Sequence, residues 1–278
     1  MDFLNFCAAH GILLDHYPPV GVWKRYPTQD KPRKRNGAVK FMGDHAFVQN
    51  HATDVEVSVW RSDGNNIDSE KFVKLARKAD DDRLLMQREA ANKAAVMLKQ
   101  SAYGRHPYLK AKGFEEEEGN IYVLDGLHYL LIPMRVEGRL VGCQVIDEAG
   151  GKKFLFGQRT SDAQFCFDNK GLHILCEGYA TALSIRHVLK SYKRRYNIHV
   201  CFSAGNMKKV ASSLDSGFLV ADNDESGTGE RVAKEIGWPY WISDVVGEDF
   251  NDTHLRVGLF RAGQSLNKAM GTSVTLLR

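Results

Sequence analysis

The spacing of apolar residues changes along this chain, and each change marks a different kind of element. VEVSVW, Val55 to Trp60, alternates apolar and polar positions, the period of a half-buried strand. Upstream, Asn36-Gly37 between strand-like runs signals a tight turn, so the first part reads as a small antiparallel module built on a hairpin. From Ser69 to Gln100 there is neither Gly nor Pro, and the apolar residues are too sparse for a core helix. This predicts a mostly solvated helix, capped by Ser69 and docked by a stripe including Leu85 and Val96. At 1.5 Å per residue it spans about 45 Å and links two modules. Beyond GRHPYLKAKGF, the runs NIYVL, HYLLIPM, RLVGCQVID and KKFLFG predict short strands separated by turns. After DNKG the rhythm changes again. LHILCE, IHVCFSAG, GFLVADND and PYWISD read as strands, with YATALSIRHVL, NMKKVASSL and GERVAKEIG as helices between them. Short apolar strands alternating with helices predict a mostly parallel sheet covered on both faces.

Composition narrows the class. With 278 residues, 43% hydrophobic and 26% charged, the chain is globular and long enough for two domains or one elaborated domain. No apolar run approaches the ~18 residues of a membrane span, and MDFLNFCAAHGILLD lacks the basic start of a signal peptide, so a cytoplasmic protein without a membrane partner is expected. Cys7, Cys143, Cys166, Cys176 and Cys201 form no C-x-x-C and read as buried thiols. The net charge of +4 is mild but unevenly spread. WKRYPTQDKPRKRNGAVK sets Lys24, Arg25, Lys31, Arg33, Lys34, Arg35 and Lys40 against the single acid Asp30, with Trp23 and Tyr26 among them. Bases interleaved with aromatics suit a surface that tracks phosphates, which makes Lys24, Arg25, Arg33, Lys34 and Arg35 candidate nucleic-acid contacts. A solvated loop explains an isolated basic run as well.

The acids carry the sharper signal. In an open parallel sheet, ligands bind beyond the carboxyl ends of the strands. Glu177 follows LHILC, Asp222 and Asp224 follow FLVA, and Asp249 and Asp252 follow the last strand in GEDFND. For ADND alone, a turn is as good a reading as a ligand set, since Asp, Asn, Ser and Gly are turn residues. Acids after three strands of one sheet are harder to attribute to turns. Hard oxygen donors with no histidine or cysteine at zinc spacing suit Mg²⁺, which keeps waters and takes further ligands from phosphates. Lys208 and Lys209, placed at the start of the helix after the second strand, are equally a phosphate contact or an exposed first turn. Tyr179, beside Glu177, reads as core.

LCEGYATALSI, VADNDESGTG and DFND together resemble the three signatures of the Toprim domain, the metal-binding fold of bacterial-type primases, topoisomerases of types IA and II, and some nucleases. HPYLKAKGF, IPMRVEGRLVG and GGKKFLFG are similar in order and spacing to the first half of the bacterial-type primase core, and the whole looks most like the Toprim primases of phages and plasmids. The resemblance covers roughly residues 104–255. It implies an α/β fold: a Toprim domain (mostly parallel sheet flanked by helices) at 169–278, preceded by a mixed α+β primase-core subdomain at 104–168, a linker helix at 67–103 and a small basic β-rich module at 1–66. It implies DNA-templated synthesis of short RNA primers on single-stranded DNA from NTPs, in phage or plasmid replication and in the host cytoplasm if phage-encoded. Mg²⁺ is the implied cofactor, with Mn²⁺ as a substitute. Glu177, Asp222 and Asp224 match the catalytic and metal positions, Asp249 and Asp252 the third acidic motif, and Lys153 and Arg135 the nucleotide or template contacts. A cysteine zinc-binding module and a G-x-x-x-x-G-K-[ST] phosphate loop are not found, so a helicase would be a separate partner. A Toprim nuclease and a non-catalytic nucleic-acid-binding accessory are the alternatives.

Overall fold

The computed structural model describes residues 1–53, 57–62 and 69–276, and of 69–71 and 272–276 the backbone alone. The chain forms two compact units, Met1–Leu85 and Met86–Arg278. In the first, α1 (Phe3–Ala9) accompanies an antiparallel sheet with the order β1 (Trp23–Tyr26), β2 (Gly37–Phe41), β3 (His45–Asn50) and β4 (Ser58–Arg61). Along β3 every second residue is buried, which leaves one face for the core. That core gathers Phe3, Val39, Phe41 and Trp60, with the Phe3 ring 4.8 Å from Phe41 and 5.3 Å from Trp60. Val55 and Glu56 of the expected strand, and the capping role of Ser69, lie outside the described residues.

Asn36-Gly37 does not make the tight turn its sequence predicts. Tyr26 pairs with Gly37, so β1 and β2 are joined by the longer loop 27–36 and Gly37 opens β2. Packing imposes the glycine there: a Cβ would stand 2.9 Å from the side chain of Ile12. The loop displays Lys31, Arg33, Lys34 and Arg35, and β1 displays Lys24 and Arg25, all exposed to solvent.

The long helix α2 (Ser69–Gln100) runs over the span expected of it, but the docking stripe is different. Leu85 and Val96 are more than half exposed, whereas Ala90, Ala94 and Met97 are buried. At about 100° per residue these three lie on the side of the helix opposite Leu85 and Val96. Ala94 and Met97 pack on Leu131 and Cys143. Alanine wins this face because its small side chain lets the helix backbone approach a flat sheet, which no scale of hydrophobicity anticipates.

That sheet is antiparallel, in the order β5 (Ala102–Gly104), β6 (Gly119–Leu124), β7 (Leu127–Val136), β8 (Arg139–Ile146) and β9 (Lys152–Phe154). The short helix α3 (Pro107–Ala111) sits between β5 and β6 in the chain. The second sheet comprises β10 (Phe165–Asp168), β11 (Leu172–Cys176), β12 (Tyr196–Val200), β13 (Phe218–Ala221) and β14 (Tyr240–Ile242), in the order β10-β12-β11-β13-β14. The last four in chain order are parallel, as the alternating pattern predicts, and β10 adds an antiparallel edge that the pattern does not announce. All four residues of β13 are buried, the mark of a strand covered on both faces. The helices α4 (Tyr179–Ser191) and α7 (Phe250–Leu276) share a core with Ile174, Ile198 and Val220. On the other face, α5 (Ala204–Ala211) and α6 (Thr228–Ile236) pack on Leu175, Leu219 and Ala221. Tyr179 is buried in the first of these cores, edge-on to Phe165 at 5.6 Å. The result is a mixed α/β architecture.

The docking of α2 is open to test. Ala94→Leu overpacks the helix–sheet contact and is expected to destabilise the protein by about 1–3 kcal/mol in urea denaturation. Val96→Ser on the exposed side is expected to stay within about 0.5 kcal/mol of the parent.

Candidate functional site

The strand order defines a crevice. The chain leaves β11 to one side to form β12, then returns past β11 to form β13 on the other, so the connections diverge between β11 and β13. Beyond the carboxyl ends of two such strands lies the usual ligand position of an open parallel sheet. Glu177 follows β11 and Asp222 follows β13. The Ala204 N–H at the start of α5 favours the charged form of the Glu177 carboxylate. Asp222 Oδ1 is sealed from solvent without a hydrogen-bond partner. Burial, then the charges of Glu177 and Asp249, push the Asp222 carboxyl up to about 8, with Lys152 partly offsetting them. Burial also raises Glu177, helped by the charge of Asp224 and opposed by the Ala204 hydrogen bond. Carboxylates crowded this way hold a proton between them near neutrality.

The neighbouring acid behaves differently. Asp224 accepts from the backbone N–H groups of Ser226 at 2.8 Å, Gly229 at 3.1 Å and Thr228 at 3.4 Å, and from the Ser226 hydroxyl. Burial works against its ionisation, but these donors hold its carboxyl below the usual carboxylate range. It ties down the turn that starts α6, where Gly227 adopts φ 63°. Gly229 brings that helix start onto the end of β13, since a Cβ there would stand 2.2 Å from the Asp222 carbonyl oxygen. The two readings of ADND therefore divide by residue: Asp224 carries the turn, and Asp222 faces the crevice.

The third motif is a reciprocal helix cap. Asp252 N–H donates to Asp249 Oδ1 at 2.9 Å and Asp249 N–H donates to Asp252 Oδ2 at 3.2 Å, opening α7. Glu248, one residue before, accepts from Arg256, Ser243 and Thr253 and is held down to about 2. Asn251 is buried and donates to Ser184 Oγ and to the Lys112 carbonyl at 3.0 Å.

Cations arrive from the antiparallel half. Lys112 Nζ lies 3.5 Å from Asp252 Oδ1. The Lys152 ammonium stands over the Tyr108 ring, 5.6 Å from its centroid. Burial and the charge of Lys112 lower the Lys152 pKa, while Asp249, Asp222 and Asp252 support its charge. The Tyr108 hydroxyl is buried without a partner, its pKa raised by burial and by Asp249. His106 orients this group. Its Nδ1 accepts from the Tyr108 N–H at 3.2 Å as the cap of α3, and its Nε2 donates to the His128 carbonyl at 3.1 Å. Lys112, Lys152 and Tyr108 lie in HPYLKAKGF and GGKKFLFG, yet strand parity was the missing key to the second motif. Side chains alternate along β9, so Lys152 turns to the acids and Lys153 lines the opposite face with Lys93 and Tyr122.

The remaining candidates are not drawn into the crevice. Arg135 Nη1 donates to the Gly138 carbonyl in the β7–β8 turn. Lys208 and Lys209 occupy the last turn of α5, not its first, because the helix opens at Ala204 behind the Ser203 cap. Lys208 pairs with Glu235 at 2.8 Å, and Lys209 donates to Ser161 Oγ at 2.9 Å.

Among the described residues no three His, Cys, Asp or Glu side chains form a ready metal-holding group. Mg²⁺ is commonly held by one or two carboxylates, with water and substrate phosphates completing the shell. The unpartnered Asp222 oxygen among hard carboxylate donors fits such an ion. No helix of the described residues is long and apolar enough to cross a membrane.

No protein-family model matches the chain. It is similar to DNA primase TraC of Escherichia coli, 24% identical over 203 residues, 64% of this chain and 13% of that protein. The chain thus spans about an eighth of that curated relative's length, from the 13% covered. A chain in the solved structure of bacteriophage T7 lagging-strand DNA polymerase interacting with primase domains of two gp4 subunits bound to an RNA/DNA hybrid and dTTP matches 58% of this chain and 84% of its own length, with 20% identity and a TM-score of 0.41. That likeness is too distant to bear on the site.

Asp222 and Asp224 are expected to separate in stability measurements with chelator present. Asp222 has a native pKa of about 8 against 3.8 unperturbed, so the unfolded state loses this proton first and native stability falls as pH rises between those values. Asp222→Asn is expected to gain on the parent across that window, by roughly 1–3 kcal/mol at its upper end, with the gain vanishing near pH 4. Asp224→Ala loses the turn and is expected to cost about 0.5–2 kcal/mol at neutral pH. Thermal unfolding of both variants between pH 4 and 9 checks the division.

Proposed function

We propose that the chain is the catalytic core of a DNA primase, making short RNA primers on single-stranded DNA from NTPs, with residues 169–278 as a Toprim domain behind a primase-core subdomain. The observation that carries this reading is the crowded crevice at the β11/β13 switch point, where Asp222 keeps an unpartnered oxygen beside Glu177 and Asp249 and Lys152 faces them. The similarity to DNA primase TraC supports the same reaction class.

Asp222, with Glu177 or Asp249 as a second carboxylate, would hold Mg²⁺, or Mn²⁺ in its place, with water and substrate phosphates completing the shell and Asp224 and Asp252 shaping the loops. A metal ion held by these carboxylates would supply Lewis-acid activation of a 3′-hydroxyl and charge compensation for a departing pyrophosphate. Glu177 is suited to accept the hydroxyl proton, because its raised pKa makes it a better base than an ordinary carboxylate. Lys152, exposed on β9, and Lys112 would bind the triphosphate. The exposed bases of the first unit, Lys24, Arg25, Arg33, Lys34 and Arg35, would track the template backbone.

Incubation with single-stranded DNA, Mg²⁺ and labelled NTPs is expected to yield new oligoribonucleotides; shortened DNA would point to a nuclease, and no product to a binding protein. Glu177→Gln is expected to lower the single-turnover rate of dinucleotide formation by about 10²–10⁴ while NTP affinity changes far less. A parallel loss of affinity would make Glu177 a metal ligand only. Replacing Arg33, Lys34 and Arg35 together is expected to weaken DNA binding and to flatten its salt dependence by about 0.7 in log–log slope for each phosphate no longer neutralised.

A further inference from the structure

The face of the antiparallel sheet turned away from the acids carries a second site. Beside α2 it opens into a cavity of about 280 Å³ lined by Tyr122, Tyr129, Phe154, Phe156, Lys93 and Lys153, among others. None of its lining residues is acidic. Phe156, two residues beyond β9, is 89% exposed, whereas Phe154, the last residue of β9, packs edge-on against Phe202 at 6.1 Å on the other face. Bare aromatic rings on a folded surface lose hydrophobic stabilisation unless something covers them. What covers them here must meet flat rings and two ammonium groups without a counter-charge. A hydrophobic peptide satisfies the rings and leaves the lysines facing an apolar partner. A nucleotide satisfies both, because its base has a π-face and its phosphate an anionic charge. The volume falls just below the usual range for small-molecule pockets, enough for one planar ring system and too small for stacked nucleotides.

We propose that this cavity binds single-stranded nucleic acid by seating one unstacked base against Phe156 and the tyrosines, with Lys93 and Lys153 on the adjoining phosphates. The polymer is favoured over a free nucleotide by the layout. The lysines come from two separate elements, Lys93 from α2 and Lys153 from β9, which suits a backbone passing across the cavity. This site is separate from the acidic crevice: Lys152 and Lys153 are adjacent in sequence but face opposite sides of the sheet. The inference does not depend on primer synthesis and would hold for any single-strand-handling protein.

The test uses the full chain and an oligothymidylate carrying one 2-aminopurine, whose fluorescence is quenched on stacking. Phe156→Ala is expected to weaken binding by about 5- to 100-fold and to remove the protein-induced fluorescence change. Phe156→Leu, which keeps an apolar side chain without a ring, is expected to behave like the alanine variant, and Phe156→Trp to restore binding. Lys93→Ala with Lys153→Ala is expected to flatten the salt dependence by about 0.7 for each phosphate released. Since Phe156 is solvent-exposed, circular dichroism of its variants should match the parent. Unchanged affinity and fluorescence for Phe156→Ala, with the parent binding the oligonucleotide, overturns the site and leaves the acidic crevice untouched. A parent that binds no oligonucleotide overturns this site and the template role of the basic loop together. Displacement by dTMP as effective as by the oligonucleotide, sensitive to the same variants, overturns the strand and makes this a mononucleotide pocket.

Discussion

Negative charge crowded beyond β11 and β13 is the constraint to which the second unit answers. Carboxyl groups that share a partly buried site repel one another, and without compensation they protonate or push the structure apart. Here compensation is graded. Asp224 is satisfied by backbone donors, Asp249 and Asp252 by each other's N–H groups, and Asp222 only by the distant charge of Lys152. The least satisfied member, Asp222, directly follows a strand buried on both faces. A rigid strand is what allows such a group to persist unpaired.

The compensating cations do not belong to the parallel sheet. They sit on α3 and β9 of the antiparallel half, and the link is mechanical as well as electrostatic. Asn251, two residues from Asp249, grips the Lys112 carbonyl, and His106 fixes the start of the helix that leads to Lys112. Glu248, locked by Arg256, Ser243 and Thr253, holds the other side of the same loop. The crevice acids and the lysines that face them thus come from different halves of the unit.

Much of this was legible from residue spacing. The alternating β11-to-β14 pattern, the span of α2 and the acids at strand ends follow from periodicity and from where polar residues interrupt it. Other features depend on quantities a linear pattern does not carry. Asn36-Gly37 signals a turn locally, but Gly37 pairs with Tyr26 as the first residue of a strand, and the nearby bulk of Ile12 is what keeps it a glycine. Leu85 and Val96 are the more hydrophobic face of α2, yet close approach favoured Ala90 and Ala94. Asp222 and Asp224 look equivalent in sequence and differ because backbone donors of the next helix reach only one of them. Choosing between Lys152 and Lys153 required the register of β9, which a strand of such short length does not reveal.

That register bears on how the chain tolerates change. β8 and β9 are joined by a loop containing Gly150-Gly151, and loops of this kind gain and lose residues readily. Gain or loss of one residue there would turn β9 over, exchanging every side chain between the sheet's two faces. In most strands such a slip removes the functional group from its site. Here the neighbour that rotates into place is another lysine, so the crevice would keep its cation and the opposite face would keep its own. A doubled residue makes the charge on both faces robust to a one-residue insertion or deletion, and the aromatic residues that follow would register the damage instead.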